Sequence, residues 1–392
     1  MSFGDRRPRR ILERKMYKFV CTRRPNQMFS RSKCLPILAA LLLVVTVYNW
    51  ASKISDNDSN GRVQFKESVK IIHRLFDEAI ASITDAQMLV LLNTGYISHS
   101  QRRVYIVEPD INTHYDHRQW VVVFVQSRHS NSYQRELIRT TWANGSYYVN
   151  DESPYVFFVS GLETRCHCVT AEMRKEILLR QDLLLLNMDD TYDRLTIKGL
   201  LAMTWIEHRF GSSVRFIIKT DDDVILNTFR WMSILKGPMF FERTRFILGY
   251  VWQRSAVKRT GRYAVSVREY SLNYYPSFCS GSGYAMSRDA VATMLAMTSK
   301  VRFLKRDDPY ITGLLAAEGQ VSRYTFNIKT YVLYPANFKA VRSWERTMLV
   351  HGANDSTWHQ VWDLYVLGSY STSNSTPETS ITFVTSEMFP EK

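Results

Sequence analysis

Six residues of this 392-residue chain have the types and spacing to do chemistry together: Asp221, Asp222 and Asp223 in a row, Asp307 and Asp308 about 85 residues later, and His351. The three aspartates follow Phe216-Ile217-Ile218, an apolar run that reads as a buried strand. An extended backbone through the acids puts Asp221 and Asp223 on one side and Asp222 on the other, with the outer Cα atoms about 6–7 Å apart. Two carboxylates at that spacing flank a hard divalent cation, directly or through water. Ligands of open α/β sheets bind beyond the carboxyl ends of strands, which is where these acids sit. The alternative is a solvated corner, because Asp is common in the turn after a strand. Asp307-Asp308 also has two readings. Pro309 biases Asp308 to an extended backbone that would fix its aim, or the two acids cap a helix beginning near Tyr310. A lone His351 is a surface or packed residue as readily as a ligand.

The elements that must position these groups alternate in type. Strand patterns fall at Trp120–Phe124, Tyr155–Val159, Leu183–Leu186, 214–219, Arg245–Trp252 and Tyr263–Val267. Helical patterns fall at Tyr133–Trp142, Ala171–Arg180, Leu195–Phe210, Arg288–Met297 and Tyr310–Glu318. Ser130, Asn131 and Ser132 are candidate caps for the first helix, and Gly211 ends the third. Such alternation predicts an α/β layered fold with a mostly parallel central sheet. Trp142 and Trp205 read as core. Tyr263, Tyr270, Tyr274 and Tyr275 read as loop or core packing, with a sugar-stacking platform as the alternative. The chain carries no GxxxxGK[ST], HExxH or GxSxG. Ile225 and Leu226 stand where an EF-hand needs a ligand and Gly.

A net charge of +14 suggests nucleic acid until its distribution is read. Residues 1–33 hold 11 Lys/Arg against 2 Asp/Glu, and the remainder carries a net of only +5. This basic tail abuts Cys34–Trp50, 17 residues without a charge, at the short end of what spans a bilayer. The expected organisation is a cytoplasmic tail (1–33), a signal-anchor (34–51), a stem (52–117), a catalytic domain (118–365) and a Ser/Thr-rich, poorly ordered tail (366–392). The positive-inside rule leaves the arginine-rich side in the cytosol. In the stem, Phe65, Val69, Ile72, Phe76, Ile80 and Ile83 recur at helical spacing, either to pack on the body of the chain or to form a dimerising seam. Sequons at Asn57, Asn144, Asn354 and Asn374 are consistent with a lumenal body. Cys166, Cys168 and Cys279 are the only cysteines beyond the anchor, so at most one intramolecular disulfide forms there. A zinc site at Cys166-His167-Cys168 is disfavoured by its tight spacing and the lack of a second pair.

Several segments, in order, resemble the β1,3-galactosyltransferase family, glycosyltransferase family 31. They are Arg135-Glu136-Leu137-Ile138-Arg139-Thr140-Thr141-Trp142, Phe158-Val159-Ser160-Gly161, Asp190-Thr191-Tyr192-Asp193-Arg194-Leu195-Thr196-Ile197-Lys198, Lys219-Thr220-Asp221-Asp222-Asp223-Val224, Tyr275 to Tyr284, and Asp307-Asp308-Pro309-Tyr310-Ile311-Thr312-Gly313. The resemblance covers about residues 118–365. It implies a GT-A-like, Rossmann-type catalytic domain in a single-pass type II Golgi membrane enzyme. The implied reaction moves galactose from UDP-galactose, in β1,3 linkage and with inversion, onto a glycoprotein or glycolipid sugar. UDP-N-acetylglucosamine is the alternative donor. A catalytically silent, glycan-binding Golgi scaffold is the rival from another class.

The resemblance also assigns roles. Asp223 and His351 are the implied ligands of Mn²⁺, with Mg²⁺ an alternative, and Asp308 the implied general base. An ordinary Asp is a weak base for an alcohol, so the proton must move as the hydroxyl attacks. Lys219, Asp221, Asp222, Arg135 and Arg139 are candidates for the nucleotide side of the donor. Gly281 and Gly283 are candidates for close backbone approach to substrate. Val commonly follows the second acid in this family, where this chain has Pro309. The family's cysteine after this segment is absent from Tyr331-Val332-Leu333, which leaves Cys279 without an obvious partner. The expected partners are a UDP-sugar, a glycan acceptor, the Golgi membrane and a second copy through the stem, and not nucleic acid.

Overall fold

Val121–Val125 is a run of β-branched and aromatic residues, and with Gln126 it forms a strand with no exposed member, as a strand covered on both faces requires. It is an interior strand of the sheet in a computed structural model that describes residues 104–115, 119–148, 153–327, 331–333, 347–352, 355–371 and 381–384. In chain order the elements begin with β1 (Tyr105–Val107), β2 (Val121–Gln126), α1 (Ser132–Thr140), β3 (Tyr155–Leu162), α2 (Ala171–Arg180), β4 (Leu183–Asp189) and α3 (Leu195–Phe210). Then come β5 (Phe216–Asp221), β6 (Val224–Leu226), α4 (Thr228–Lys236), β7 (Phe246–Trp252), β8 (Phe278–Ser287) and α5 (Arg288–Met297). A π-helix at Pro309–Leu315 follows, continued by one α-turn. The last elements are β9 (Ser322–Phe326), β10 (Val332–Leu333), β11 (Leu349–His351), α6 (Asp355–Ser371) and β12 (Ile381–Val384).

Nine strands form one sheet in the order β1-β4-β3-β2-β5-β8-β7-β9-β12. β2, β3, β4, β5, β7 and β9 run one way, and β1, β8 and β12 run the other. The sheet is therefore mixed but mostly parallel, with helices between its strands. β10, β11 and β6 form a second, small sheet, and it holds the end of β11 against the chain leaving β5.

Local chemistry explains several boundaries. Thr170 caps α2 by accepting from the Met173 amide at 3.3 Å, and Asn227 caps α4 from the Arg230 amide at 3.2 Å; such caps pair amides that the first turn leaves open. Gly211 ends α3 at a φ of +49°, the left-handed region that favours glycine. Trp142 and Trp205 are buried, and their indole N–H groups donate to Val224 O (3.2 Å) and Glu108 Oε2 (2.9 Å).

Three local expectations are corrected. Tyr263–Val267 is a loop and not a strand; its apolar residues alternate but lack a neighbouring strand, and Tyr263 and Val267 are exposed. Asn131 is the N-cap residue of α1 but makes no capping bond, because its Nδ2 donates to Asp222 and its Oδ1 accepts from Ser130 Oγ instead. The sheet recruits residues on both sides of 118–365: β1 precedes that span, and β12, within the Ser/Thr-rich tail, pairs with β9. The cysteines, by contrast, keep to the limit of one disulfide: it joins Cys166 and Cys168, and Cys279 is a buried free thiol.

The anchor (34–51), the stem helix and the sequons Asn57, Asn354 and Asn374 lie outside the described residues. Among the described residues no helix is long and apolar enough to cross a membrane. Asn144, at the remaining sequon, accepts from the Ser146 amide at 3.0 Å.

Candidate active site

The acidic corner is built by a strand that stops. β5 ends at Asp221, residues 222 and 223 form a turn, and β6 starts at Val224. The extended backbone expected through all three acids does not occur, because β6 must turn away to pair with β11. Each aspartate consequently faces a different partner.

Asp221 lies two residues beyond Lys219 on the same strand, so both side chains share one face. The buried Lys219 ammonium sits 2.8 Å from Asp221 Oδ1 and 3.9 Å from Asp307 Oδ2, and it donates to Gly281 O at 2.7 Å. Burial disfavours its charge, but Asp221, Asp308 and Asp307 outweigh burial and hold the ammonium well above its ordinary pKa. Burial pushes the Asp221 carboxyl up to about 6, against the pull of Lys219 and with help from Asp307 and Asp223. Lys219 is thus the counter-ion at the centre of the acids.

Asp222 turns inward. Its Oδ2 accepts from Ser127 Oγ (2.7 Å), the Asn131 side chain (2.9 Å) and the Arg128 amide (3.3 Å). Burial still raises its pKa above the ordinary value despite those bonds. The residue ties the β2–α1 loop to the end of β5.

Asp223 turns outward and meets His351. The β6–β11 register sets His351 opposite Val224, which places its Nε2 3.2 Å from Asp223 Oδ2. The Gly352 amide donates to Asp223 O at 2.9 Å and fixes the corner through the main chain. Burial opposes ionisation of Asp223, but the hydrogen bond and charge of His351 hold its carboxyl below the ordinary value. The Asp223 bond in turn raises His351, against its burial. A half-exposed carboxylate beside an imidazole is a donor pair that suits a first-row divalent ion. No group of three or more His, Cys, Asp or Glu among the described residues could hold one. A cation here would therefore complete its shell with water or with oxygens of a bound molecule.

The second acidic pair stands across Lys219. Asp308 opens the π-helix with φ −61° and ψ −54°, so it is helical and not extended as Pro309 led us to expect. It makes no capping bond. Two anchors override the proline's preference: the Gly281 amide donates to Asp308 Oδ2 at 2.8 Å, and Thr312 Oγ1 donates to Asp308 O at 2.8 Å. The other oxygen, Oδ1, is buried without a hydrogen-bond partner. Burial first, then Asp307 and Asp221, raise the Asp308 carboxyl well above the ordinary range, with Lys219 opposing.

Gly281 is a close approach. A Cβ there would lie 2.5 Å from Asp308 Oδ1 and 2.6 Å from Oδ2. Gly281→Ala is expected to swing the carboxylate aside and lower any reaction depending on it by roughly 10²-fold, with little change in melting temperature. Steady-state kinetics beside a thermal melt checks both halves. Gly283 instead faces Leu349 and Leu226, where it lets the small sheet pack on β8.

Arg135 and Arg139 stand apart from this cluster. Buried Arg135 holds Glu176 through Nε (2.7 Å) and Nη2 (2.6 Å), and its Nη1 donates to Ser127 Oγ (2.8 Å) and Arg128 O (2.6 Å). Arg139 is bidentate on Asp182 at 2.8 Å and also reaches Glu176 at 2.7 Å. Both brace α1 against α2, and Arg135 touches the site only through Ser127 and Asp222. Glu176, which the sequence did not single out, joins the two arginines. Burial works against its ionised form, but Arg135 and Arg139 hold its pKa below the ordinary value. Its stabilisation is therefore full above the unfolded glutamate pKa and is lost as pH falls through and below it. Glu176→Gln is expected to cost about 3–5 kcal/mol at neutral pH by stranding buried guanidinium charge. It should also flatten the acid limb of stability, read from urea midpoints against pH.

Asp190 and Lys198 form a further buried ion pair. Lys198 Nζ also donates to Ser127 O at 3.0 Å, and Asp190 accepts from the His129 amide at 2.8 Å. They hold the end of β2 that receives Asp222. Tyr263 and Tyr274 are exposed, while Tyr275 is buried.

Residues 133–327 match the family model described as Galactosyltransferase. The chain is 31% identical over 198 residues to UDP-GalNAc:beta-1,3-N-acetylgalactosaminyltransferase 1 of Sus scrofa, covering 49% of this chain and 58% of that protein. It is 29% identical over 194 residues to Beta-1,3-galactosyltransferase 5 of Homo sapiens, covering 49% of this chain and 61% of that protein. The chain thus spans less than two thirds of the length of these curated relatives. A solved glycosyltransferase involved in the glycosylation of the major capsid of PBCV-1 aligns with 62% of this chain and 99% of its own, at 9% identity and a TM-score of 0.32, too weak a likeness to argue from.

Proposed function

Because the chain belongs to the β1,3-galactosyltransferase family, we propose that it is a UDP-sugar-dependent, inverting enzyme with a GT-A-like catalytic domain, which moves galactose in β1,3 linkage onto a glycoprotein or glycolipid sugar. One observation carries the reading. Asp308 is a buried carboxylate with one oxygen anchored by Gly281 N and the other without a partner. Such an oxygen is placed to receive the proton of a bound hydroxyl.

The roles divide by position. Asp308 Oδ1 takes the proton of the acceptor hydroxyl as that oxygen attacks the anomeric carbon. Lys219 keeps Asp221, Asp307 and Asp308 from repelling one another. Asp223 and His351 face outward as ligands for Mn²⁺, with Mg²⁺ a weaker match to the imidazole. When bound, the ion would supply the positive charge needed by a departing UDP. Asp222 and Arg135 act on the donor side only by holding the β2–α1 loop. The basic tail and the apolar stretch 34–51 fit a Golgi membrane anchor that leaves this domain in the lumen.

A second donor has a specific observation in its favour: a relative at 31% identity is named for N-acetylgalactosamine. Purified protein with Mn²⁺ should be offered UDP-galactose, UDP-N-acetylgalactosamine and UDP-N-acetylglucosamine, with transfer and donor hydrolysis both measured. Turnover of UDP-galactose above the others is the expected result. Turnover of none would favour a silent glycan-binding scaffold.

A further inference from the structure

Arg323 is buried on β9, and no carboxylate pairs with it among the described residues. Burial accordingly lowers its pKa, with only the Cys279 thiol acting the other way. An uncompensated buried charge is unfavourable, and an apolar side chain of similar volume would fill the space without one. The guanidinium does something an apolar chain cannot. Its Nε donates to Thr312 O at 2.9 Å and its Nη2 to Gly313 O at 3.0 Å. Both carbonyls belong to the π-helix, whose i→i+5 winding is rarely stable without outside support and often marks functional sites.

Thr312 connects this support to Asp308. Its hydroxyl donates to Asp308 O at 2.8 Å and accepts from the Cys279 amide at 2.9 Å. Cys279 lies two residues before Gly281 on β8, and the Gly281 amide holds Asp308 Oδ2 at 2.8 Å. Asp308 is thus gripped by its carbonyl and by its carboxylate from one strand, provided the turn containing Thr312 keeps its wide winding.

We propose that Arg323 is a positioning residue for Asp308, holding the π-helix open so that the partnerless carboxylate oxygen keeps its aim. The inference rests on Asp308 being the base. Relaxation of the turn toward an ordinary α-helix would shift Thr312, and Asp308 with it, relative to β8.

The test uses the full chain with UDP-sugar and acceptor. Arg323→Met is expected to lower kcat for transfer roughly tenfold or more, with donor KM unchanged. Arg323→Lys is expected to recover part of the loss, since an ammonium can still donate to the two carbonyls. Thr312→Val keeps the volume and removes both hydroxyl links, so it should reproduce the kcat defect even if Arg323→Met fails to fold. Normal kcat in Thr312→Val, or in a folded Arg323→Met that has only lost thermal stability, would overturn the proposal. Absence of transfer by the unaltered chain would instead count against the enzymatic reading itself.

Discussion

Asp308→Asn should abolish most sugar transfer, by about 10²–10⁴-fold, while UDP binding stays near the unaltered level. The geometry makes the substitution clean. The amide oxygen of Asn can accept from Gly281 N as Asp308 Oδ2 does at 2.8 Å, and its NH₂ then occupies the partnerless position. Shape is kept and the capacity to take a proton is lost. The variant should be at least as stable at neutral pH, because burial and two neighbouring acids oppose the ionised carboxylate. That cost is full above the raised folded pKa, shrinks as pH falls from there toward the ordinary aspartate value, and is gone below the latter. In the unaltered chain, transfer should rise with pH through a midpoint above the ordinary aspartate range, and the residual activity of Asp308→Asn should lack that limb. Normal transfer by the variant would remove Asp308 from the chemistry altogether.

Asp223→Ala should erase the gain in UDP affinity that Mn²⁺ confers and leave metal-free binding unchanged. The Asp223 carboxylate is 55% exposed and its described side-chain contact is His351. The corner itself is held through the Asp223 carbonyl by Gly352 N at 2.9 Å, a bond that alanine retains. The fold should therefore survive, and a binding defect can be read as a lost ligand. Removing one of the two proposed protein ligands is expected to weaken the ion about 10- to 100-fold or more, a loss at least as large as that for groups which merely orient ligands. Calorimetric titration of UDP with and without Mn²⁺ checks it, with His351→Ala as the companion. Equal Mn²⁺ dependence in Asp223→Ala and the unaltered chain would exclude this pair as the metal site.

The sequence made some of this legible for local reasons. A strand that ends in acids is visible because burial and charge change abruptly at Asp221. α2, α3 and α5 have the expected bounds because their apolar spacing, the Thr170 cap of α2 and the Gly211 stop of α3 are all local in sequence. The partnerships were not legible. Asp222 is 95 residues from Ser127, and the bond between them redefines Asp222 as a loop anchor. Arg135 looked like a phosphate ligand because nothing nearby reveals Glu176 as its partner 41 residues on. The backbone at Asp308 went against proline's local preference because Gly281 and Thr312 hold it from elsewhere. β8 carries two glycines and three serines, which mask its strand character until β5 and β7 are set on either side of it.

The pairing of β12 with β9 has a practical side. β9 presents Arg323 toward the π-helix, and β12 covers its outer rim from Arg323 to Phe326. A shortened chain ending at residue 365 would leave that rim with open amides and carbonyls, a template for strand-to-strand association between molecules. Recombinant fragments should therefore keep residues through at least Val384. Otherwise clumping in the test tube could be mistaken for the natural oligomer.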